Sequence, residues 1–351
     1  MTRIEIDAPL IDIQERYLDT ISTRWPITFM PQPDELLSSW LHRLAYANGV
    51  PGRSFARVLG LTPGMWSARL DLKLSITLAK QLQTYADITP EQLTAMTLPD
   101  NQTRQLFLPL RNLHRRQGST WLQFCPRCLA TDAHPYFRRE WRLATRLTCE
   151  KHSNRLRDRC TSCNQPVAAF DQSELKPHHY CARCGHDFRR ASTIYLCPAV
   201  IKLDQCIHEI FGSGFIAGSP IDNLLVRRLM DIPQLTGVHQ RKLLTGLSAS
   251  FRARCYEQLV CHPYEDGTVR RHVHGVGRAL GSPIAKDGGN NVLIRLLTDA
   301  LARQPGRSAV GGSRPFVDLS HFLATAQQMR RVSVTSPLCR RDATAIVRCQ
   351  C

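Results

Sequence analysis

The spacing of apolar positions marks helical segments at the two ends of the chain, with a middle stretch between them. Leu36, Leu37, Trp40, Leu41, Leu44 and Ala45 recur three and four apart, which predicts a helix with Asp34 as N-cap and Asn48-Gly49 as its stop. A short helix is expected from Ser54 to Leu59, closed by Gly60. A further one from Ser75 to Ala86 carries Ile76, Ala79, Leu82 and Tyr85 on one face. Thr89, Pro90 and Glu91 then supply an N-cap, an N1 proline and an early acid for a helix to about Met96. In the C-terminal half, Val200, Leu203, Ile207, Ile210 and Phe211 mark a helix from Ala199 to Phe211. Gly212-Ser213-Gly214 and Gly218-Ser219-Pro220 read as turns. Asp222 caps a helix from Asn223 to Met230, and Pro233 to Gly237 turns into a helix from His239 to about Leu259. Val292 to Ala302 is short and helical, Gly306 to Pro315 is a linker, and His321 to Arg330 is a last helix. After it the core pattern is lost.

The middle stretch is organised by ligand-type pairs instead. Cys125-Pro-Arg-Cys128, Cys149-Glu-Lys-His152, Cys160-Thr-Ser-Cys163 and Cys181-Ala-Arg-Cys184 each place two such residues with two others between them. That spacing lets a tight knuckle aim two side chains at one metal, and zinc takes four thiolate or imidazole ligands in a tetrahedron. Eight ligands make two closed sites, structural in character because no coordination position is left for water. Sequential closure puts Cys125, Cys128, Cys149 and His152 in one site and Cys160, Cys163, Cys181 and Cys184 in the other. It is the simpler scheme, since each half repeats knuckle, spacer, knuckle. A cross-braced scheme joining the first pair to the third also fits the spacing. His134, His178, His179 and His186 are alternates that the regular spacing disfavours, and Tyr136 to Leu143 reads as a spacer helix.

The expected fold is therefore mainly α with small zinc-ribbon or zinc-knuckle β elements. Residues 1–115 form a helical domain with helix-turn-helix-like pairs, and 116–195 form a tandem zinc-finger module. Residues 196–330 are helical with a second helix-turn-helix candidate, and 331–351 are a tail.

Charge changes the picture of what this body meets. The formal charge is +17 and the pI is about 9.6, which favours a polyanionic partner, most simply DNA. Between Arg104 and Arg159 thirteen basic residues face four acids, and twelve of the thirteen are arginine, whose planar fork suits phosphate. Aromatics interleave with them, and the apolar pattern around Trp121 and Trp141 assigns those two rings to core packing. The N-terminal helix pair lacks cations on its second helix, so scaffolding or protein docking suits it better than groove reading. The C-terminal pair is basic, and Arg227, Arg228, Arg241 and Lys242 are its candidate DNA contacts. Arg138, Arg139 and Arg142 are candidates in the zinc region.

Several classes fall away. There is no GxxxxGK[ST], HExxH or GxSxG, and the HxE and PCxxC pairing of deaminases is missing, which removes P-loop, zincin, hydrolase and deaminase readings. No apolar run approaches 18 residues and Met1 to Leu10 has no hydrophobic leader core, so a cytoplasmic protein holding its cysteines reduced is expected.

Pro31-Gln-Pro-Asp34-Glu35-Leu36-Leu37-Ser38-Ser39-Trp40-Leu41-His42-Arg43-Leu44-Ala45 resembles the opening motif of the TniQ/TnsD transposition proteins. So does the later order of Phe124 to Ala130, Tyr136 to Arg142, Cys149 to His152 and Leu156 to Cys163. The resemblance covers residues 28 to about 190. It implies a non-enzymatic targeting factor, linking target DNA or a target-bound complex to an AAA+ ATPase and thence to a transposase. In some such systems it implies a homodimer docked on an RNA-guided Cascade complex. It also implies that the eight ligand positions above hold the zincs, in a bacterial cytoplasm and at the nucleoid when active. The alternative from another class is a zinc-containing transcription regulator reading DNA through the basic pair near residues 223 to 259.

Overall fold

A computed structural model describes residues 24–52, 54–55, 70–99, 102–108, 122–167, 172–217, 223–261 and 289–302. The expected helix at 54–59, Trp121, the 306–315 linker, the 321–330 helix and the 331–351 tail fall wholly or largely outside them. The described elements are mainly helical: α1 (Leu37–Ala47), α2 (Ile76–Ala86), α3 (Pro90–Met96), α4 (Pro126–Thr131), α5 (Pro198–Ala217), α6 (Asn223–Met230), α7 (Ile232–Leu235), α8 (Ala249–Cys261) and α9 (Gly289–Ala302). Among the described residues, β structure is confined to isolated antiparallel bridges, including Phe124 with Arg157, Asn154 with Tyr195 and Tyr180 with Asp187. A mainly helical protein with small β elements around the cysteine pairs is thus the observed class.

Two apolar cores form. The smaller gathers Leu37, Trp40, Leu41 and Leu44 of α1 with Leu78, Leu82, Leu93 and Met96 of α2 and α3. The larger runs without a break from Leu98 and Phe107 through Phe124, Trp141, Leu156 and Phe188 into α5, α6, α8 and α9. The cysteine-rich segment therefore shares its core with the C-terminal helices.

Local chemistry explains most helix ends. The Ser75 hydroxyl accepts from Leu78 N–H, and Thr89 forms a reciprocal capping box with Gln92 ahead of the N1 proline. Gly49 takes the left-handed conformation after α1, with φ +71°. Gly52 is required for space, since a Cβ there would lie 2.8 Å from His42 Nε2.

Five expectations are corrected. Asp34 does not cap α1. It sits at φ 57° and gives its carboxylate to Arg139 and to Glu140 N–H, while the helix starts three residues later. The buried row of α2 is Leu78, Leu82 and Ala86, and Ile76 is 77% exposed. Tyr136 to Leu143 is not a spacer helix but extended chain with one 3-10 turn at Arg139–Arg142, because Leu36 N–H donates to Phe137 O and Arg139 N–H to Asp34 O, bridging it to the Asp34–Leu36 segment. The Gly212-Ser213-Gly214 turn is absent, and α5 continues to Ala217. Glycine costs a helix only about 1 kcal/mol, and the buried Ile207, Ile210 and Phe211 anchor the turns before it. Finally, the helix expected from His239 begins at Ala249, whose N–H is accepted by the Asp158 carboxylate at 2.8 Å, a cap from ninety-one residues away.

Candidate metal centres

Four knuckles present the ligand pairs, and three of them share one backbone plan. Cys149, Cys160 and Cys181 each accept, through their carbonyl, the N–H of the residue four positions on, at 2.7, 3.0 and 2.8 Å. That residue is Ser153, Asn164 or Gly185, and each has a left-handed φ, of 52°, 55° and 70°. The reversal brings the two ligands of each pair to the same side. The first knuckle differs, because Cys125 is the N-cap of α4 and its sulfur accepts Cys128 N–H at 3.4 Å.

The structure brings the first pair to the second and the third to the fourth, not the first to the third. In the first cluster His152 Nδ1 lies 3.6, 3.3 and 3.6 Å from the sulfurs of Cys125, Cys128 and Cys149, and Cys128 Sγ is 3.4 Å from Cys149 Sγ. In the second, Cys160 faces Cys184 at 3.6 Å and Cys163 faces Cys181 at 3.7 Å. A zinc tetrahedron with Zn–S of about 2.3 Å and Zn–N of about 2.0 Å has edges of roughly 3.5 to 3.8 Å. Both donor sets fit, so both can hold a metal ion.

The electrostatics fit as well. Hydrogen bonds from Cys128 and Cys149 pull the Cys125 thiol down to about 3, while those with Cys125 and Cys149 push Cys128 up. In the second cluster burial pushes Cys181 up to about 12. Cys184 opposes its own slight burial through the His186 N–H and neighbouring thiols, and falls to about 7. Sulfurs this close resist shared ionisation, which a divalent cation would reverse.

Supporting contacts hold the first cluster in place. Asp204 of α5 accepts from Leu147 N–H, Thr148 N–H and the Thr148 hydroxyl just before Cys149. Asn154 Oδ1 is 3.1 Å from Cys125 Sγ, and Phe124 stacks on Phe188 at 4.7 Å. The alternate histidines lie elsewhere. His178 is buried with Nε2 2.7 Å from Pro135 O, and burial together with the facing His42 holds it well below the usual histidine range. His186 meets the Thr161 hydroxyl at 3.0 Å, and His134 is exposed.

A third convergence was invisible in the sequence. Glu140, Glu150 and His208 meet around Arg146, whose Nη2 is 3.0 Å from Glu140 and 3.6 Å from Glu150. Burial pushes Glu140 up to about 7 against the pull of Arg146, and burial with Arg146 pushes His208 down to about 4. The guanidinium already supplies the cation, so this is an ion-pair cluster.

The candidate DNA-contacting arginines divide. Arg138 pairs with Asp132 at 2.9 Å and lies over the rings of Tyr136 and Trp141. Arg139 is held by Asp34 and by the Thr97 carbonyl. Arg142 is fully buried on Asp71, which also accepts from Ser38 N–H and its hydroxyl, so it has no surface to offer a phosphate. Arg139 and Arg142 join the N-terminal part of the chain to the cysteine-rich segment, a role that sequence spacing did not signal, while Arg138 is paired within that segment. Arg227, Arg241 and Lys242 are exposed and Arg228 is half-buried.

No helix among the described residues is long and apolar enough to cross a membrane. No curated protein matches the chain. The family model described as TniQ matches residues 26–156, a span that holds α1, the Asp71–Arg142 joint and all four ligands of the first cluster. Over those residues the chain is similar to TniQ, a transposition-associated family.

Proposed function

We propose that this protein is a non-enzymatic transposition adaptor, in which Cys125, Cys128, Cys149 and His152 hold one structural zinc and Cys160, Cys163, Cys181 and Cys184 hold a second. The zincs supply rigidity when bound. The chain itself links target DNA, or a complex already on the target, to the AAA+ ATPase of the transposon and through it to the transposase. It works in the reducing cytoplasm, where the thiolates stay available to metal.

The observation that carries the reading is the coincidence of the TniQ match with the joint between α1 and the first cluster. The motif's two halves, about a hundred residues apart, are the two sides of that joint: Leu36 N–H bonds Phe137 O at 2.9 Å, and Phe137 N–H bonds the Ser39 hydroxyl at 3.0 Å. A fixed helical face braced by a metal knuckle suits docking.

The test is binding of the purified zinc-loaded chain to labelled DNA, with and without the ATPase. Weak, salt-sensitive binding that strengthens with the ATPase is expected. Tight sequence-specific binding by the chain alone, with no association with the ATPase, overturns the reading in favour of a transcription regulator. An RNA-guided Cascade complex and a second copy of the chain are further partners to assay in the same format.

A further inference from the structure

The arginines of the cysteine-rich region fall into two groups. Arg138, Arg139, Arg142, Arg146 and Arg189 are paired with carboxylates. Among the described residues Arg127, Arg155, Arg157 and Arg254 make no ion pair, and they converge on one face. The extended segment 153–159 alternates: Asn154, Leu156 and Asp158 are buried, while Arg155, Arg157 and Arg159 stand on the other side. Successive members of that row are about 6.8 Å apart.

The row is held and flanked. Arg157 spends Nε and Nη2 on the Ser192 carbonyl and hydroxyl, which fixes its plane and leaves the Nη1 donors unspent. Arg155 has a buried Nε with no hydrogen-bond partner. Burial lowers its pKa, with Asp158 and Glu257 opposing and Arg254 of α8 adding to the effect. Asp158 is engaged by Ala249 N–H at the start of that helix. Arg254 is exposed and lies over Phe251, 5.2 Å from its ring centre. On the other flank the Asn154–Tyr195 bridge sets Tyr195, 59% exposed, next to the row, with its hydroxyl 3.5 Å from Arg127.

We propose that the outward face of residues 153–159, continued onto Arg254 and Phe251 of α8 and onto Arg127 and Tyr195, seats the phosphate backbone of duplex DNA. The partner follows from the chemistry. Arg127, Arg155, Arg157 and Arg254 outnumber Asp158 and Glu257, the carboxylates beside Arg155, and such an excess of cations suits a polyanion, while guanidinium forks fixed in plane match phosphate oxygens. The two exposed rings flank the cations where apolar sugar edges lie. The face contacts no base pattern in any fixed register, so it positions DNA without choosing a sequence. This rests on the adaptor reading only in taking DNA as the polyanion, and it moves the contact away from Arg138, Arg139 and Arg142.

Fluorescence anisotropy of the full zinc-loaded chain on a labelled duplex, titrated with salt, tests it. Each lost phosphate contact lowers the slope of log affinity against log salt by about 0.9. The variant combining Arg127→Ala, Arg155→Ala and Arg254→Ala is expected to lose between about two and three units of slope and roughly tenfold or more in affinity, on all duplexes alike. Arg157 is left intact because it braces Ser192. Zinc content and circular dichroism report folding. Should the triple variant fail to fold, Arg254→Glu at an exposed site must by itself weaken binding and lower the slope. A second set, Arg227→Ala, Arg228→Ala, Arg241→Ala and Lys242→Ala, is expected to bind more nearly as the parent does. An unchanged slope in the folded triple variant, or in Arg254→Glu, overturns the proposal. So does loss of binding in the second set alone, or a preference for single strands or acidic polypeptide over duplex. A chain that associates with the ATPase but ignores duplex DNA sinks this inference and spares the adaptor. A chain that holds duplex on this face but never meets the ATPase does the reverse.

Discussion

Three ligands of the first cluster, Cys125, Cys128 and Cys149, are buried, whereas the second keeps Cys160 and Cys181 inside and leaves Cys184 in solvent with Cys163 half covered. The donor distances are alike, so the difference lies in what surrounds them. Asp204 of α5, Asn154 and the start of α4 close around the first cluster, which lies in the larger core and beside the joint to α1. The second hangs from knuckles capped by Asn164 and Gly185, with the exposed Thr161–His186 contact as its outer cover. One arrangement of donors thus sits in two settings, both reaching the larger core: one nearly enclosed, the other open to solvent at Cys184.

The largest effect that would sharpen this contrast comes from Cys128→Ala. Structural zinc contributes on the order of 10 to 16 kcal/mol in small domains, more than a protein's whole margin of stability. The variant is expected not to fold, seen as loss of the cooperative transition in circular dichroism. A folded Cys128→Ala protein would break the comparison at its base. Next comes Arg142→Ala, which strands the buried Asp71 carboxylate and is expected to cost roughly 3 to 5 kcal/mol in a urea titration while zinc content holds. Chelation should follow the exposure: with a colorimetric zinc reporter, one equivalent is released early and the second only as the helices unfold. Simultaneous release, or early loss from the first cluster, would contradict the assignment of roles. Cys184→Ser is expected to lower zinc content from two equivalents to one and leave the helical signal largely in place. The smallest effect belongs to Asn164→Gly, which relieves a left-handed non-glycine residue worth about 1 to 2 kcal/mol but adds unfolded-state freedom. Its expected net change is within about 1 kcal/mol in either direction.

Much of this was legible because its causes are local. Two-residue spacings show a knuckle wherever they occur, and Ser75, Thr89-Pro90 and Asn48-Gly49 mark helix ends through groups within four residues. What stayed hidden depends on distant partners. Asp34 looked like a cap until Arg139 claimed it, and Asp158 starts α8 from another part of the chain. Arg142 reads as a candidate DNA contact, and Arg252 lies in the basic C-terminal stretch. Both are fully buried, the first on Asp71 and the second on Gln123 and the Leu247 carbonyl. The alternation of Arg155, Arg157 and Arg159 is a period of two, yet only the structure separates Arg155 and Arg157 from the arginines held in ion pairs.

The Asp71–Arg142 bond has a practical consequence for anyone dissecting the molecule. A fragment starting at residue 122 would inherit a guanidinium built for a dry slot, along with an open groove where α1 used to lie. A fragment ending before the first cysteine would carry the matching acid with nothing opposite. Either half made alone should be sticky and short-lived, and the two co-expressed should find each other again.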